Sequence, residues 1–251
     1  MFKKTLRLTD RVYPVAAVLV LLCLWQIIVS LAQLPSYILP SPVAVIQALV
    51  SDFPLIAAHT KVTLIEAATG FSLSVALAFI LSIIMDNFTI VKKSFYPILI
   101  ISQTVPIIAL TPILIVWFGF GMLTKVLVII LVCFFPIAVS LVDGFAKVDR
   151  DYLNLFRSYG ASRIQVFFHL KLPAAAVNFF SGLKIAATYT IMAAVISEWQ
   201  GGVKGIGVYM VRAKKAYTLD KVFASILVIT LVSVLLIYLI DYVSKKVTHW
   251  K

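Results

Sequence analysis

The sequence contains little charge, and acidic residues are especially few. Only 13% of its 251 residues are charged, and 10 acidic residues stand against 22 lysines and arginines. Soluble domains have about 25% charged and about 45–50% apolar residues, whereas 62% of this chain is hydrophobic. This composition argues against a soluble globular domain and excludes a disordered chain, which needs low hydrophobicity. The net charge of +12 is typical of a nucleic-acid binder only on a water-exposed face, so no nucleic-acid partner is predicted.

Residues and motifs that carry chemistry are also scarce. Cys23 and Cys133 lie in apolar runs, so they indicate neither a disulfide framework nor a metal site. The three histidines have no metal-ligand spacing, and no nucleophile–base pair is evident. The glycine-rich segment 201–207 lacks the Lys-Ser/Thr pair of a phosphate-binding loop. We therefore expect no enzyme, no metal and no cofactor in this chain.

The chain has instead long apolar runs. A bilayer core of about 30 Å needs about 20 residues of helix, and backbone groups in lipid must be hydrogen-bonded within the segment, which predicts helices. We predict one all-α integral membrane domain over residues 1–251, with six spans at about 14–32, 62–85, 97–119, 126–142, 174–197 and 222–241. Pro97, Pro106 and Pro112 interrupt the third span, which we expect to be bent or kinked.

The basic residues predict an orientation. A cytoplasmic N-terminus places roughly two basic residues inside for each one outside, as expected for a membrane protein. We therefore expect a multi-pass protein with both termini in the cytoplasm. The exception is the predicted outer segment from Glu198 to Lys221, which contains five basic residues. That segment attracts an anionic solute or an acidic partner surface, or its placement is wrong.

Three ionisable residues lie in or at the ends of spans, where such groups are usually paired or functional. We expect Lys184 to extend its ammonium group to the membrane interface. Glu66 is expected at the outer interface, and Glu198 is a candidate gate residue. Glycines allow close backbone approach, so we interpret the glycine-rich segment 201–207 as a re-entrant gate or turn. The candidate path and gate residues are Pro106, Pro112, Glu198, Gly205 and Gly207.

The fourth and fifth spans are joined by the segment 143–173, which is rich in polar residues. It is long for a bundle connection, where about 2–8 residues are usual, and its apolar residues have helical spacing. Gly160 favours a left-handed turn, Ser162 can cap a following helix, and Pro173 suits the start of the fifth span. We predict a helix–turn–helix that packs under the bundle or fills the groove of a partner.

This segment resembles the hallmark loop of the permease subunits of bacterial binding-protein-dependent ATP-binding-cassette (ABC) importers. That loop has Glu-Ala-Ala, three residues, Gly, nine residues and Ile-x-Leu-Pro. Here Gly160 and nine further residues precede Leu170-Lys171-Leu172-Pro173, whereas Asn154-Leu155-Phe156 replaces the acidic triplet. Other motifs resemble the nitrate/sulfonate/taurine-type branch: His59-Thr60, Thr63-Leu64, Gly70-Phe71, Trp117-Phe118-Gly119-x-Gly121, and Glu198 followed by Gly205-Ile206-Gly207. Glu66 stands where the resemblance implies a basic residue.

The resemblance implies a type I importer permease with a cytoplasmic coupling helix. It implies that the chain pairs with a second copy, lies above two ATPase subunits that bind ATP and magnesium, and receives solute from an extracytoplasmic binding protein in the bacterial inner membrane. The ATPase-coupling residues would then be Asp151, Asn154, Phe156, Arg157, Tyr159, Gly160, Ala161, Arg163, Leu172 and Pro173.

The implied solute is a small sulfonate, taurine or nitrate. The alternative solute is a thiamine-precursor pyrimidine or another vitamin-like molecule. A different class of function is a secondary transporter or channel without an ATPase, which predicts ionisable residues near the middle of the spans. Only Lys184 comes close to that position.

Overall fold

The computed structural model describes the backbone of residues 8–248 and the side chains of residues 13–248. The prediction of cytoplasmic termini depends partly on basic residues whose side chains lie outside that part: Lys3, Lys4, Arg7, Arg11 and Lys251. Regular structure in the described residues is entirely helical. The elements are α1 (Leu8–Leu31), α2 (Pro42–Ser51), α3 (Phe53–Asn87), α4 (Thr89–Ser102), α5 (Ile107–Phe118), α6 (Met122–Ala146), α7 (Arg150–Ser158), α8 (Arg163–Val166), a π turn (Phe167–Lys171), α9 (Leu172–Trp199), α10 (Ile206–Lys215) and α11 (Leu219–Val247).

Five of the described helical segments are long and apolar enough to cross a membrane: α1, α3, α6, α11 and the continuous run Arg163–Trp199 that contains α9. A sixth span is possible if α4 and α5 are counted as one bent pair. The prediction of an all-α membrane protein is therefore confirmed, with five spans in the described residues, or six when α4 and α5 are counted as one. Helices suit a membrane because each satisfies its own backbone polar groups.

The third predicted span, 97–119, is not one continuous helix. Helices α4 and α5 meet at a bend of 105°, and Pro106 lies at the N-terminal boundary of α5. Proline cannot donate an N–H and disfavours helical geometry in the preceding residue, so a helix ends easily there. Pro97 and Pro112 lie inside α4 and α5, so only one of the three prolines marks the break.

Close packing of α6 against α9 forms the centre of one compact unit, which contains residues 58–208 and 229–248. Buried side chains at this contact include branched residues of α6, such as Ile129 and Ile137, and alanines of α9. Small residues let two helices approach closely in a membrane. A Cβ at Gly182 would lie 2.7 Å from Cβ of Ser140, and one at Gly144 would lie 3.0 Å from Cβ of Ala175. These contacts fix the helices that position the segment 143–173.

The second compact unit contains residues 8–57 and 209–228. Helix α2 begins at a Ser-Pro pair: Ser41 accepts a hydrogen bond from the N–H of Ala44, and proline suits the first helical turn. Lys221 and the hydroxyl of Tyr209 both donate to Oδ2 of Asp52, at 2.7 and 2.9 Å. The Lys221 hydrogen bond lowers the pKa of Asp52 below its ordinary value, and burial raises the pKa of Tyr209.

Candidate functional site

The first part of the segment 143–173 is helix α7. Asp149 caps it by accepting a hydrogen bond from the N–H of Asp151 at 2.9 Å. Arg157 lies in its last turn and Asp151 in its first, so both charges interact favourably with the helix dipole. No residue of α7 is buried. The helix is therefore well defined at both ends, although the protein does not pack over it.

The turn after α7 has the geometry that the sequence predicts. Gly160 has φ of 73°, which favours glycine because a side chain is strained in the left-handed region. Ser162 accepts from the N–H of Gln165 at 3.3 Å, while the Gln165 side chain accepts from the N–H of Ser162 at 2.8 Å. This reciprocal arrangement is a capping box. The predicted turn and the predicted cap are both confirmed.

The end of the segment differs from the prediction. Pro173 does not begin a separate helix, because α8, the π turn and α9 form one helical run from Arg163 to Trp199. In the π turn the N–H of Leu172 donates to the carbonyl of Phe167, five residues earlier. Proline in an α-helix crowds the carbonyl four residues before it. The wider turn directly before Pro173 reduces this crowding, and such turns occur often at functional sites.

Most predicted coupling residues are exposed. Tyr159 is 83% exposed, Ile164 70% and Phe168 58%, whereas Phe156 and Ala161 are partly buried. The exposed predicted residues are Asp151, Asn154, Arg157, Tyr159, Gly160 and Arg163. Leu172 and Pro173 are partly buried at the start of α9. A groove of about 510 Å³ runs along the turn and is lined by Leu155, Phe156, Tyr159, Gly160, Ala161, Gln165 and His169.

The predicted gate residues Glu198, Gly205 and Gly207 come together in a buried cluster. Glu198 is 1% exposed. Its Oε1 accepts from Thr63 at 2.6 Å, and its Oε2 accepts from the N–H of Gly207 at 2.6 Å. The N–H of Gly205 donates to Nδ1 of His59 at 3.1 Å. Both carboxylate oxygens are therefore engaged in holding the turn after α9 against α3.

Glu66 and Lys184 each form an ion pair with another residue, and neither pair was predicted from the sequence. Glu66 is buried, at 4% exposure, and its Oε1 lies 2.6 Å from Nζ of Lys125. Nζ of Lys125 also donates to the carbonyl of Lys204 at 3.1 Å. Lys184 forms an ion pair with Asp241 of α11. An ion-pair partner lowers the cost of a charge within a span. Lys125 and Asp241, the two partners, are distant in sequence from the residues that they pair with.

Local structure accounts for part of the basic segment that contradicts the orientation rule. Arg212, Lys214 and Lys215 lie in the last turn of α10, where positive charge is favoured by the helix dipole. Lys221 forms an ion pair with Asp52 at 2.7 Å. Four of these basic residues therefore have a structural role that does not require an anionic solute.

The predicted path residues divide between two places. A cavity of about 490 Å³ is lined by residues of α4, α5, α6, α9 and the α4–α5 connection, and none of its eleven lining residues is charged. Its polar lining comes from Ser102, Gln103 and Tyr189. Pro106 lies between two lining residues, while Pro112, Glu198, Gly205 and Gly207 are not among them. The structure therefore does not bring the path residues into one site.

A family model and curated relatives match this chain. The model "Binding-protein-dependent transport system inner membrane component" matches residues 70–249. A probable ABC transporter permease protein of Haemophilus influenzae is 34% identical, covering 91% of this chain and 94% of the relative. The formylaminopyrimidine transport permease protein ThiX of Halalkalibacterium halodurans is 34% identical, covering 88% and 89%. The taurine transport system permease protein TauC of Escherichia coli is 29% identical, covering 92% and 86%.

A solved structure has the same fold. A chain of the MetNI methionine ABC transporter, in an inward-facing conformation, matches with a TM-score of 0.61 at 16% identity. The match covers 77% of this chain and 94% of that one. At this identity the likeness supports the fold and adds nothing on the solute.

Proposed function

Because the chain belongs to the family of inner-membrane components of binding-protein-dependent transport systems, the permease subunits of ABC importers, we propose that helices α7 and α8 with the turn between them, residues 150–166, dock on a separate ATPase subunit. These residues are called the docking segment. The chain itself is a transport subunit for a small solute and not an enzyme. ATP and magnesium bind to the ATPase, since the 251 residues contain no phosphate-binding Gly-Lys-Ser/Thr loop.

The observation that carries this proposal is the exposed, well-capped pair α7–α8. Helix α7 has no buried residue, yet Tyr159 and Ile164 present large apolar surface at 83% and 70% exposure. A rigid exposed helix with aromatic side chains is suited to helix-in-groove recognition. Aromatic and arginine side chains also contribute most often to the binding energy of interfaces. We assign to the ATPase the exposed Arg157, Tyr159 and Arg163. We also assign to it Phe156, which lines the groove along the turn.

Docking gives the ATPase a mechanical connection to the spans. Helix α8 continues without interruption through the π turn into α9, so a force on α8 acts on a membrane helix. Closure of two ATPase subunits on ATP would shift the spans between an inward-open and an outward-open state. Such a shift requires that the two states differ in their contacts with the ATPase.

The assembly that we propose contains two copies of this chain, two ATPase subunits and an extracytoplasmic solute-binding protein. It lies in the bacterial inner membrane, with both termini and the segment 143–173 on the cytoplasmic side. The chain acts as a single permease domain over residues 1–251. The outer face then carries the turn at Gly205, which the carboxylate of Glu198 fastens to α3 through Thr63.

The uncharged cavity is our candidate for part of the solute path. Gln103 and Tyr189 supply polar groups to a space of about 490 Å³ among apolar side chains. We assign Pro106 to this path, because it ends the connection that lines the cavity. Pro112 lies inside α5 and does not line the cavity, so we do not assign it to the path. Glu198, Gly205 and Gly207 hold the outer turn closed and do not contact solute.

Two solute classes remain candidates. A pyrimidine-like solute is favoured by the 34% identity to the formylaminopyrimidine permease and by the uncharged cavity, where an anion would gain no ion pair. A small sulfonate, taurine or nitrate is supported by relatives at 27–29% identity. The binding protein carries most of the choice. Calorimetry of the cognate binding protein with formylaminopyrimidine and with taurine decides between them.

Co-purification tests the docking proposal. The detergent-solubilised permease should retain its cognate ATPase subunit, and Phe156→Asp should lose it while still inserting into the membrane. Val203→Asp, at a residue 70% exposed in the predicted outer turn, is the matched control and should retain the ATPase. A permease that never retains an ATPase would favour a secondary transporter or channel and refute the proposal.

A further inference from the structure

One ion pair joins the π turn to the end of α3. Nζ of Lys171 lies 2.9 Å from Oδ1 and 2.7 Å from Oδ2 of Asp86. The two side chains are partly buried, at 23% and 14% exposure. Lys171 is the last residue of the π turn and Asp86 the second-last residue of α3. The contact therefore connects the membrane helix α3 with the π turn that follows the docking segment.

The position of Asp86 makes this pair more than a surface contact. A negative charge in the last turn of a helix is disfavoured, because the helix dipole is negative there. Asp86 is also largely shielded from water, which raises the cost of leaving its charge unpaired. Lys171 supplies the compensating charge with two hydrogen bonds. Asp86 is therefore stable at this place only while the π turn stays close to it.

The π turn has a second attachment. The rings of Phe167 and Phe145 lie 5.7 Å apart, which ties the start of the π turn to the end of α6. The π turn is thus held at Phe167 by α6 and at Lys171 by α3, while α7 and α8 before it are exposed. A shift of α8 reaches α9 along the continuous helix, but it reaches α3 only through side chains.

We propose that the Lys171–Asp86 ion pair is a positioning link that makes α3 follow the movement of the docking segment. The proposal rests on the docking function above. Lys171 occupies the variable position in Leu170-Lys171-Leu172-Pro173, so the loop motif itself does not predict its role. The link acts on the response to ATP, and not on the binding of the ATPase.

The test measures an ATP-driven change inside the cavity. Gln103→Cys, placed in a variant with Cys23→Ser and Cys133→Ala, reports access to the cavity through its rate of labelling by a maleimide. The complex with the cognate ATPase is labelled with and without ATP plus vanadate, which holds the ATPase closed. We expect Lys171→Met to bind the ATPase normally while the change in labelling rate falls about fivefold.

Two further variants separate a link from a merely structural contact. Exchanging the charges, Asp86→Lys with Lys171→Asp, should restore most of the labelling response. Lys184→Met is the matched control, because it removes another ion pair of α9 while Asp241 keeps Lys245 as a partner. Its response should equal that of the unmodified chain.

An unchanged labelling response in Lys171→Met would overturn the link while leaving the docking proposal intact. If Lys171→Met does not accumulate, the exchanged pair carries the test: a folded exchanged protein without a response overturns the link, and a restored response supports it. Failure of the unmodified permease to retain an ATPase would overturn the docking function itself, and this inference with it.

Discussion

Two glycine turns in this protein share a backbone requirement and differ in their surroundings. Gly160 and Gly205 have φ of 73° and 126°. At Gly205 a Cβ would overlap the carboxylate of Glu198, whereas at Gly160 no heavy atom lies within 4 Å of a Cβ. The first turn is open and the second is enclosed by polar partners. A glycine at a positive φ thus serves packing in one place and leaves a surface accessible in the other.

The contrast extends to the polar groups near each turn. The polar side chains around Gly205 are buried: His59, Thr63 and Glu198 are at most 9% exposed. Around Gly160, Tyr159 and the capping Ser162 are exposed. Changes near Gly205 should therefore cost stability, and changes near Gly160 should cost association with a partner. The following variants test that division, from the largest expected effect to the smallest.

Gly205→Ala should destabilise the protein most, by about 3 kcal/mol or more, because the new methyl group meets the Glu198 carboxylate at a strained φ. Thermal unfolding of the detergent-solubilised protein measures this effect. Gly160→Ala is the matched control, since it adds only the left-handed strain of about 1 kcal/mol. Equal losses of stability in the two variants would break the comparison.

Lys125→Met should destabilise the protein by about 3 kcal/mol, because it leaves the buried carboxylate of Glu66 without its cation. The double variant Lys125→Met with Glu66→Met should recover much of the loss, since no buried charge remains. Lys204→Met is the control, because Lys204 contacts Lys125 through its backbone carbonyl, which this substitution keeps. A double variant as unstable as Lys125→Met would show that the ion pair is not the cause.

Tyr159→Ala should weaken ATPase binding about tenfold, as expected for an exposed aromatic anchor. Its unfolding temperature should stay unchanged, because Tyr159 is 83% exposed. Titration of the purified ATPase against the permease in nanodiscs gives the dissociation constant. Val203→Ala, at a residue 70% exposed near the other glycine turn, should leave that constant unchanged. Weakened binding in both variants would remove the distinction between the turns.

The smallest effect concerns an ion pair that water still reaches. The Lys221 hydrogen bond holds the pKa of Asp52 below its ordinary value, so the carboxylate is favoured in the folded state. Its stabilisation is complete above the unfolded pKa of about 3.9 and is lost progressively as pH falls through the lower folded pKa. Asp52→Asn should cost at most about 1 kcal/mol near neutral pH. Unfolding at neutral pH and at about pH 3 should show a smaller cost in acid; an unchanged cost would contradict this account.

Local features of the segment 143–173 are predictable from sequence because they depend on near neighbours. The left-handed turn at Gly160 and the cap at Ser162 follow from residue types within a few positions. The long apolar runs likewise predict the membrane helices. A break in the third span was expected from its prolines, but three prolines share that run and only Pro106 ends a helix. Which proline breaks the span depends on packing that the run itself does not encode.

The ion pairs could not be predicted from local sequence, because their two residues are far apart in the chain. Lys125 and Glu66 are separated by 59 residues, Lys184 and Asp241 by 57, and Lys171 and Asp86 by 85. The apolar runs show that these charges need partners, but not which ones. The π turn was also missed, because a single wider turn leaves the helical spacing of apolar residues nearly unchanged. Pro173 is the only local sign of it.

Labelling of a cysteine at position 162 tests the docking claim most directly. Ser162→Cys, with Cys23→Ser and Cys133→Ala, is exposed to an impermeant maleimide in inside-out vesicles, with and without the cognate ATPase. We predict labelling that the ATPase blocks, whereas Val203→Cys in the same background is labelled only from the opposite side and is not protected. Labelling at position 162 that the bound ATPase leaves unchanged, or that occurs only from outside, would contradict the account.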